Sequence, residues 1–184
     1  GCSRGHKSTT GHRPSSVLDT PGNLTGIYFW ANDIPWTTTD EADLSACEDF
    51  IVNELAPHIK AYDSYPGIAL TEGKYALSHA WNGDARQGLL SAEDPDRYVW
   101  GLGAPVTELW MDNWCIVKGA EHPNAAHAWI NYCYAPKNNA TETEYTYYGS
   151  PLKREVIEAA IDPEVFANTD VFPAPDTLEK LEPN

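Results

Sequence analysis

From Val17 to Tyr134, short apolar runs with strand character alternate with stretches whose apolar residues recur at helical spacing. This alternation restricts the fold more than any other feature of the chain. Val17-Leu18, Ile59–Asp63, Tyr75–Ala80 and Tyr98–Leu102 read as strands, and Val106–Val117 reads as a long aromatic strand region. Between them, residues 24–31 read as an apolar helix after a turn or helix start at Asp19–Gly22. Glu41–Leu55 carries Leu44, Cys47, Ile51 and Leu55 on one helical face behind the capping run Thr37–Asp40, and Pro57 closes it. Leu70–Lys74 is a short helix or turn. Gly83–Ser91, about Asn124–Tyr134, the segments from Glu142 and from Lys153, and Thr177–Leu181 read as helices. The pattern predicts an α/β class with a mostly parallel sheet. A length of 184 residues suits one domain or two small lobes. Residues 1–16 are basic, polar and without periodicity, and read as a disordered or foreign leader. Within it, His6 and His12 are solvated or tag-like rather than metal ligands.

Twelve Lys and Arg against 27 Asp and Glu give a formal net charge of −15. That balance excludes nucleic acid as a partner, because phosphates need basic patches, and it opposes binding to an anionic membrane surface. A negative field steers cations inward, so the charge suits a cationic ligand, although solubility alone accounts for it equally well. No run of 18 apolar residues occurs, so no helical membrane span is expected. The cysteines at 2, 47, 115 and 133 form no C-x-x-C, which leaves zinc and thioredoxin chemistry without support, and no metal or cofactor is expected. Cys47, Cys115 and Cys133 lie in apolar patterns and read as small core residues, with a Cys115–Cys133 disulfide left open. Cys2, in Gly-Cys-Ser, resembles a lipidated lipoprotein cysteine, but no hydrophobic region precedes it.

Three constellations carry chemistry. In His79-Ala80-Trp81-Asn82-Gly83-Asp84, a strand ends at Trp81, Gly83 permits a tight turn and Asp84 opens the next helix. Ligands of open α/β sheets bind at such strand ends. Trp81 then offers a π face and Asp84 a countercharge, although Asp84 also fits a helix N-cap. In Leu109-Trp110-Met111-Asp112-Asn113-Trp114, strand geometry puts Trp110, Asp112 and Trp114 on one face. A carboxylate framed by two indoles suits an ammonium ion, which gains roughly 0.5–2 kcal/mol over an aromatic face. A solvated Asp at a strand end is the plainer alternative. In Tyr147-Tyr148-Gly149-Ser150-Pro151, two phenols precede a turn, either facing a cleft or packing on a core.

The strand-ending W-x-G-D at 81–84, followed by W-M-D at 110–112 and by Tyr148-Gly149-Ser150-Pro151, resembles the periplasmic spermidine/putrescine-binding proteins of ABC transporters. The segment Asn53-Glu-Leu-Ala-Pro-His-Ile-Lys-Ala-Tyr-Asp-Ser-Tyr-Pro66 adds to the resemblance, which covers about Val17–Asn184. The resemblance implies a type II periplasmic-binding-protein fold, with two α/β lobes closing on a ligand by a hinge. Residues 17–109 would form most of the second lobe, 110–156 would belong to the first, and 157–184 would return to the second. The family's opening segment, which builds most of the first lobe, would be missing. Carried over by residue, Trp81 and Trp110 would box the methylene chain of a polyamine and Asp112 would pair with one ammonium group. Asp84 would hold an amine and Tyr148 would hydrogen-bond to the ligand. The family often has an acidic residue near positions 20–23, where this chain has Thr20-Pro21-Gly22-Asn23. Asn23 offers an amine a carbonyl oxygen without charge, which leaves the polyamine's identity open.

The resemblance also implies permease subunits as partners and a periplasmic or extracytoplasmic location, with a lipid anchor at Cys2 left open. Competing readings are a binder of ferric ion through Tyr147 and Tyr148, a sugar binder, and a glycosidase using Asp84 and Asp112 as a carboxylate pair. No third group in the sequence orients either acid.

Overall fold

The computed structural model describes residues 14–103 and 106–183. Cys2, His6, His12 and the rest of the leader up to residue 13 lie outside them. Three strands, β1 (Ser15–Leu18), β2 (Ile59–Asp63) and β3 (Leu77–Ser78), form a parallel sheet in the order β2-β1-β3. The middle strand is buried from Ser16 to Leu18, as a strand covered on both faces should be. Its one buried hydroxyl, that of Ser16, bonds to Ser78 Oγ on the neighbouring strand at 2.9 Å. β1 opens at Ser15, so Ser15 and Ser16 belong to the sheet and not to the leader.

Helix α1 (Pro21–Ala31) leaves the carboxyl end of β1, with Pro21 preset for the first helical position. It buries Asn23, Gly26, Phe29 and Trp30. Gly26 is required there, because a Cβ would lie 2.5 Å from the Trp30 ring. Trp30 in turn stacks on Trp36, with ring centroids 5.4 Å apart. Helix α2 (Glu41–Phe50) is capped by Asp40, whose carboxylate accepts from Ala42 N at 2.8 Å. Its turns widen into a π-helical stretch, Ile51–Leu55, before the chain enters β2. Helices α3 (Pro66–Thr71) and α4 (Asn82–Ser91) flank β3 in sequence and pack on each other through glycines. Their small core joins Leu70, Ala80 and Ala85 to Tyr98 and Trp100.

The remaining strands, β4 (Thr107–Leu109) and β5 (Leu181–Pro183), form a separate parallel pair. Helices α5 (Pro123–Cys133), α6 (Pro136–Thr146), α7 (Arg154–Glu158), α8 (Pro163–Phe166) and α9 (Pro175–Leu178) complete the chain. A second core gathers Ala140, Ile157 and Ile161 with Phe166 and Phe172.

Several expectations are corrected. Tyr98–Leu102 is not a strand; the Tyr98 hydroxyl donates to Tyr75 O at 2.8 Å and fixes the segment as a loop. The strand expected over Val106–Val117 is confined to Thr107–Leu109, because its partner β5 pairs only three residues. Cys115 is exposed in the irregular stretch after Leu109, and Cys133, on a helix that buries none of its residues, is half-buried; among the described cysteines only Cys47 is a core residue. All three are unbridged.

His79 follows β3 and is largely covered, and its Nδ1 is buried without a hydrogen-bond partner. Burial holds its pKa below the ordinary 6.5. The unfolded chain therefore takes up the proton first as pH falls. The resulting stability is intact above pH 6.5 and is lost as pH drops through the depressed folded value. We expect the unfolding free energy of the wild type to fall more steeply than that of His79→Gln between pH 7.5 and 5, measured by urea titration. Parallel profiles would assign the acid sensitivity elsewhere.

Candidate functional site

The order β2-β1-β3 sets the carboxyl ends of β1 and β3 side by side. From these ends start α1, with Asn23 in its first turn, and α4, with Trp81 as its N-cap and Asp84 in its first turn. Crevices beyond the carboxyl ends of parallel strands are the usual ligand sites of such sheets. Trp81 is half-buried.

Asp84 does not cap its own helix. Its Oδ2 accepts a hydrogen bond of 2.8 Å from Gly67 N, so it caps the first turn of α3 across the helix pair. The carboxylate is anchored and its direction is set by the scaffold. Gly83, beside it, is the floor for Tyr148: a Cβ at 83 would lie 2.7 Å from Tyr148 Cδ2 and 2.6 Å from Thr146 O. Gln87, one turn further along α4, donates to the same Thr146 oxygen at 3.1 Å.

Tyr148 reaches Gly83 through an unusual backbone step. Tyr147 ends α6 in the left-handed conformation, φ 58° and ψ 20°, which costs a residue with a side chain free energy and turns the chain sharply. Beyond the turn, the Ser150 hydroxyl donates to Oδ1 of the buried Asn139 and holds the loop onto α6. Burial pushes the Tyr148 phenol's pKa above its ordinary 10.0. The Asp84 charge adds to the rise, a hydrogen bond with the Asp84 backbone opposes it, and the Asp112 charge contributes last. At neutral pH Tyr148 is therefore a neutral phenol within electrostatic reach of two carboxylates.

Trp110 and Asp112 are joined directly: Trp110 Nε1 donates to Asp112 Oδ1 at 2.8 Å. The frame of two indoles on one strand face is corrected. The backbone past Leu109 is irregular, and Trp114 instead meets Trp129 edge-on, with centroids 6.4 Å apart. Asp112 is exposed, not sealed between rings. The structure thus gathers Asp84, Asp112, Tyr148 and Trp110, and leaves Trp114 outside the group. The cluster is an open face; two concavities, of about 220 and 400 Å³, lie elsewhere, between α1 and α2 and beside Arg86 and Trp100.

Sequence reasoning missed Glu108. This β4 residue accepts from Asn23 Nδ2 at 2.7 Å and ties the first turn of α1 to the strand that leads to Trp110. Among the described residues, no group of three or more His, Cys, Asp and Glu is arranged to hold a metal, and no helix is long and apolar enough to cross a membrane.

Comparison with known proteins gives consistent results. The putrescine/agmatine-binding protein of Pseudomonas aeruginosa is 21% identical over 172 residues, which is 91% of this chain and 46% of that protein. Among solved structures, a putative spermidine/putrescine ABC transporter protein from Listeria monocytogenes superposes with a TM-score of 0.76 at 22% identity, covering 94% of this chain and 52% of its own. The spermidine/putrescine ABC transporter substrate-binding protein PotD from Streptococcus pneumoniae gives a TM-score of 0.70 at 21% identity, with coverage of 93% and 52%. The TpPotD lipoprotein of Treponema pallidum gives 0.67 at 15%, with coverage of 94% and 52%. The chain spans about half the length of these relatives, and over that span its α/β architecture is that of the type II periplasmic binding proteins. The profile of the bacterial extracellular solute-binding proteins, which is not an enzyme family, matches residues 51–173, more than half of the chain. The chain therefore belongs to the bacterial extracellular solute-binding protein family.

Proposed function

We propose that these residues form part of the solute-binding component of an ABC importer and that its solute is a polyamine of the putrescine or spermidine class. The observation that carries this reading is the grouping of the Asp84 and Asp112 carboxylates about the neutral Tyr148 phenol, with the Trp110 indole bonded to Asp112. An ammonium group needs anionic acceptors, and its methylene chain needs flat apolar faces. Trp110 and Trp81 supply the faces, Asp112 pairs with one ammonium, Asp84 holds an amine through its carboxylate, and Tyr148 adds a hydroxyl. The names of the relatives, which include putrescine/agmatine-binding and spermidine/putrescine substrate-binding proteins, support the same solute class.

In this reading residues 17–109 and 157–184 belong to one lobe and 110–156 to the other, with β4 next to the crossing. The partners are permease subunits and the location is extracytoplasmic, with Cys2 as a candidate anchor. Calorimetric titration of the full-length protein should show putrescine or spermidine binding more tightly than amino acids or sugars. Affinity should weaken with salt, because exposed ion pairs are screened over about 8–10 Å. Heat with a sugar and none with any polyamine would refute the assignment. These 184 residues alone should bind more weakly than a chain that also carries the half of the relatives' length not spanned here, because water then competes for both carboxylates.

A further inference from the structure

Helix α4 presents Gly83 and Gln87 to Thr146 and Tyr148, and Asp84 and Gly88 to α3. Arg86 and Leu89, three residues apart, lie on a further side and line the concavity of about 400 Å³. That volume is within the roughly 300–1,000 Å³ usual for small-molecule sites. Tyr98 and Trp100 supply aromatic walls, and Asp96 and Asp170 supply carboxylates.

The walls are fixed by bonds that leave the charged groups unused. The Tyr98 hydroxyl is tied to Tyr75 O. Asp170 is held through its backbone: its N–H donates to Asn168 Oδ1 at 2.9 Å, and its C=O accepts from Asn82 Nδ2 at 2.8 Å. Among the described residues nothing bonds to its carboxylate. Arg86 is half-buried on a chain of net charge −15, yet its Nε is buried without a hydrogen-bond partner. Among the described residues nothing pairs with its guanidinium. An unsatisfied buried donor on a charged group is costly and points to an acceptor that arrives with a ligand.

Opposite charges therefore line one cavity without meeting. The planar fork of a guanidinium matches a carboxylate. A lone anion would satisfy Arg86 but face the Asp170 charge, and a lone cation would satisfy Asp170 but leave Nε without an acceptor. A molecule that carries both charges answers both. Asp96 is exposed, so water screens it and it contributes little. We infer that this concavity is a second binding site, for a small zwitterion of the α-amino acid class, with the carboxylate on Arg86, the ammonium on Asp170 and the apolar side chain against Trp100. The inference is independent of the polyamine reading, because none of these residues belongs to the group of Asp84, Asp112 and Tyr148.

The test titrates the full-length protein by calorimetry with L-phenylalanine, N-acetyl-L-phenylalanine, which lacks the ammonium, and L-phenylalaninamide, which lacks the carboxylate. Each titration is run with and without saturating putrescine. We expect phenylalanine to bind more weakly than putrescine does, and equally well whether putrescine is present or not. Each derivative should bind about 10- to 150-fold more weakly than phenylalanine, the loss of one hydrogen-bonded charge. Arg86→Gln should weaken phenylalanine by a similar factor, and leave the putrescine affinity and the ligand-free melting temperature unchanged. No heat with phenylalanine, equal binding of the three compounds, or unchanged phenylalanine affinity in Arg86→Gln would overturn the site. Displacement of phenylalanine by putrescine would overturn its separateness. A wild type that binds phenylalanine but no polyamine would support the site and refute the polyamine reading.

Discussion

Gly88→Ala is expected to destabilise the protein by about 3 kcal/mol or more, the upper end of the usual cost of overpacking. A Cβ at 88 would lie 2.4 Å from Gly67 O and 2.8 Å from Gly67 Cα. Both are backbone atoms, so no rotamer change relieves the overlap; α3 and α4 must separate. That separation strains the Gly67–Asp84 hydrogen bond and the bond from the Thr71 hydroxyl to Gly88 O, 3.1 Å long. For a protein of this size the melting temperature should drop by about 6–12 °C. Gly101 provides the internal control: a Cβ there meets nothing within 4 Å, so Gly101→Ala should stay within about 0.5 kcal/mol of wild type. Equal melting temperatures for the two variants would mean that the helices are not as closely packed as described.

Asp112→Asn should weaken polyamine binding by about 10- to 150-fold, the equivalent of about 1.5–3 kcal/mol for a hydrogen bond to a charged group, and leave the melting temperature unchanged. Asparagine preserves the acceptor for Trp110 Nε1 and removes only the charge. Asp112 is exposed and supports no other element. Asp84→Ala should behave differently. Loss of its bond to Gly67 N removes the cap on α3, which costs about 0.5–2 kcal/mol of stability as well as affinity. Calorimetry paired with thermal melts separates the two. If Asp112→Asn binds putrescine as the wild type does, the cation is held elsewhere.

The parts of the chain with local signals were legible from the residues. Ile59–Asp63 alternates half-buried and exposed positions, and the strand has those bounds. Asp40 was readable as a cap because an Asp preceding an apolar helical stripe accepts from the first-turn amides. Gly83–Ser91 differs from the observed α4 by one residue. Aromatic and β-branched composition misled over Val106–Val117, because such residues need a partner strand before they form one, and β5 offers only three residues. The motif residues Asp84, Trp110, Asp112 and Tyr148 were identifiable, but the bond from Asp84 to Gly67 was not: it links two helices through a residue 17 positions away. Glu108 was hidden more deeply. Its partner is 85 residues away, and in sequence it is one acid within an apparent aromatic strand.

The weld between α3 and α4 has a consequence for how this sequence can drift. Gly67 leaves no room for a side chain, because a Cβ would sit 2.6 Å from Asp84 O and 2.9 Å from Asp84 Oδ1, while Gly88 is closed off by Gly67 itself. Asp84 is engaged by the Gly67 amide. The three positions therefore constitute one packed unit: a side chain at either glycine forces the helices apart and strains the bond between Gly67 and Asp84, and neighbours in contact couple rather than add. A lineage that exchanges Asp84 to suit a different solute gives up the cap on α3 while both glycines stay required. Neutral change should accumulate at Gly101 long before it reaches this trio, and retuning of the solute should enter through exposed positions such as Asp112, whose alteration leaves that trio intact.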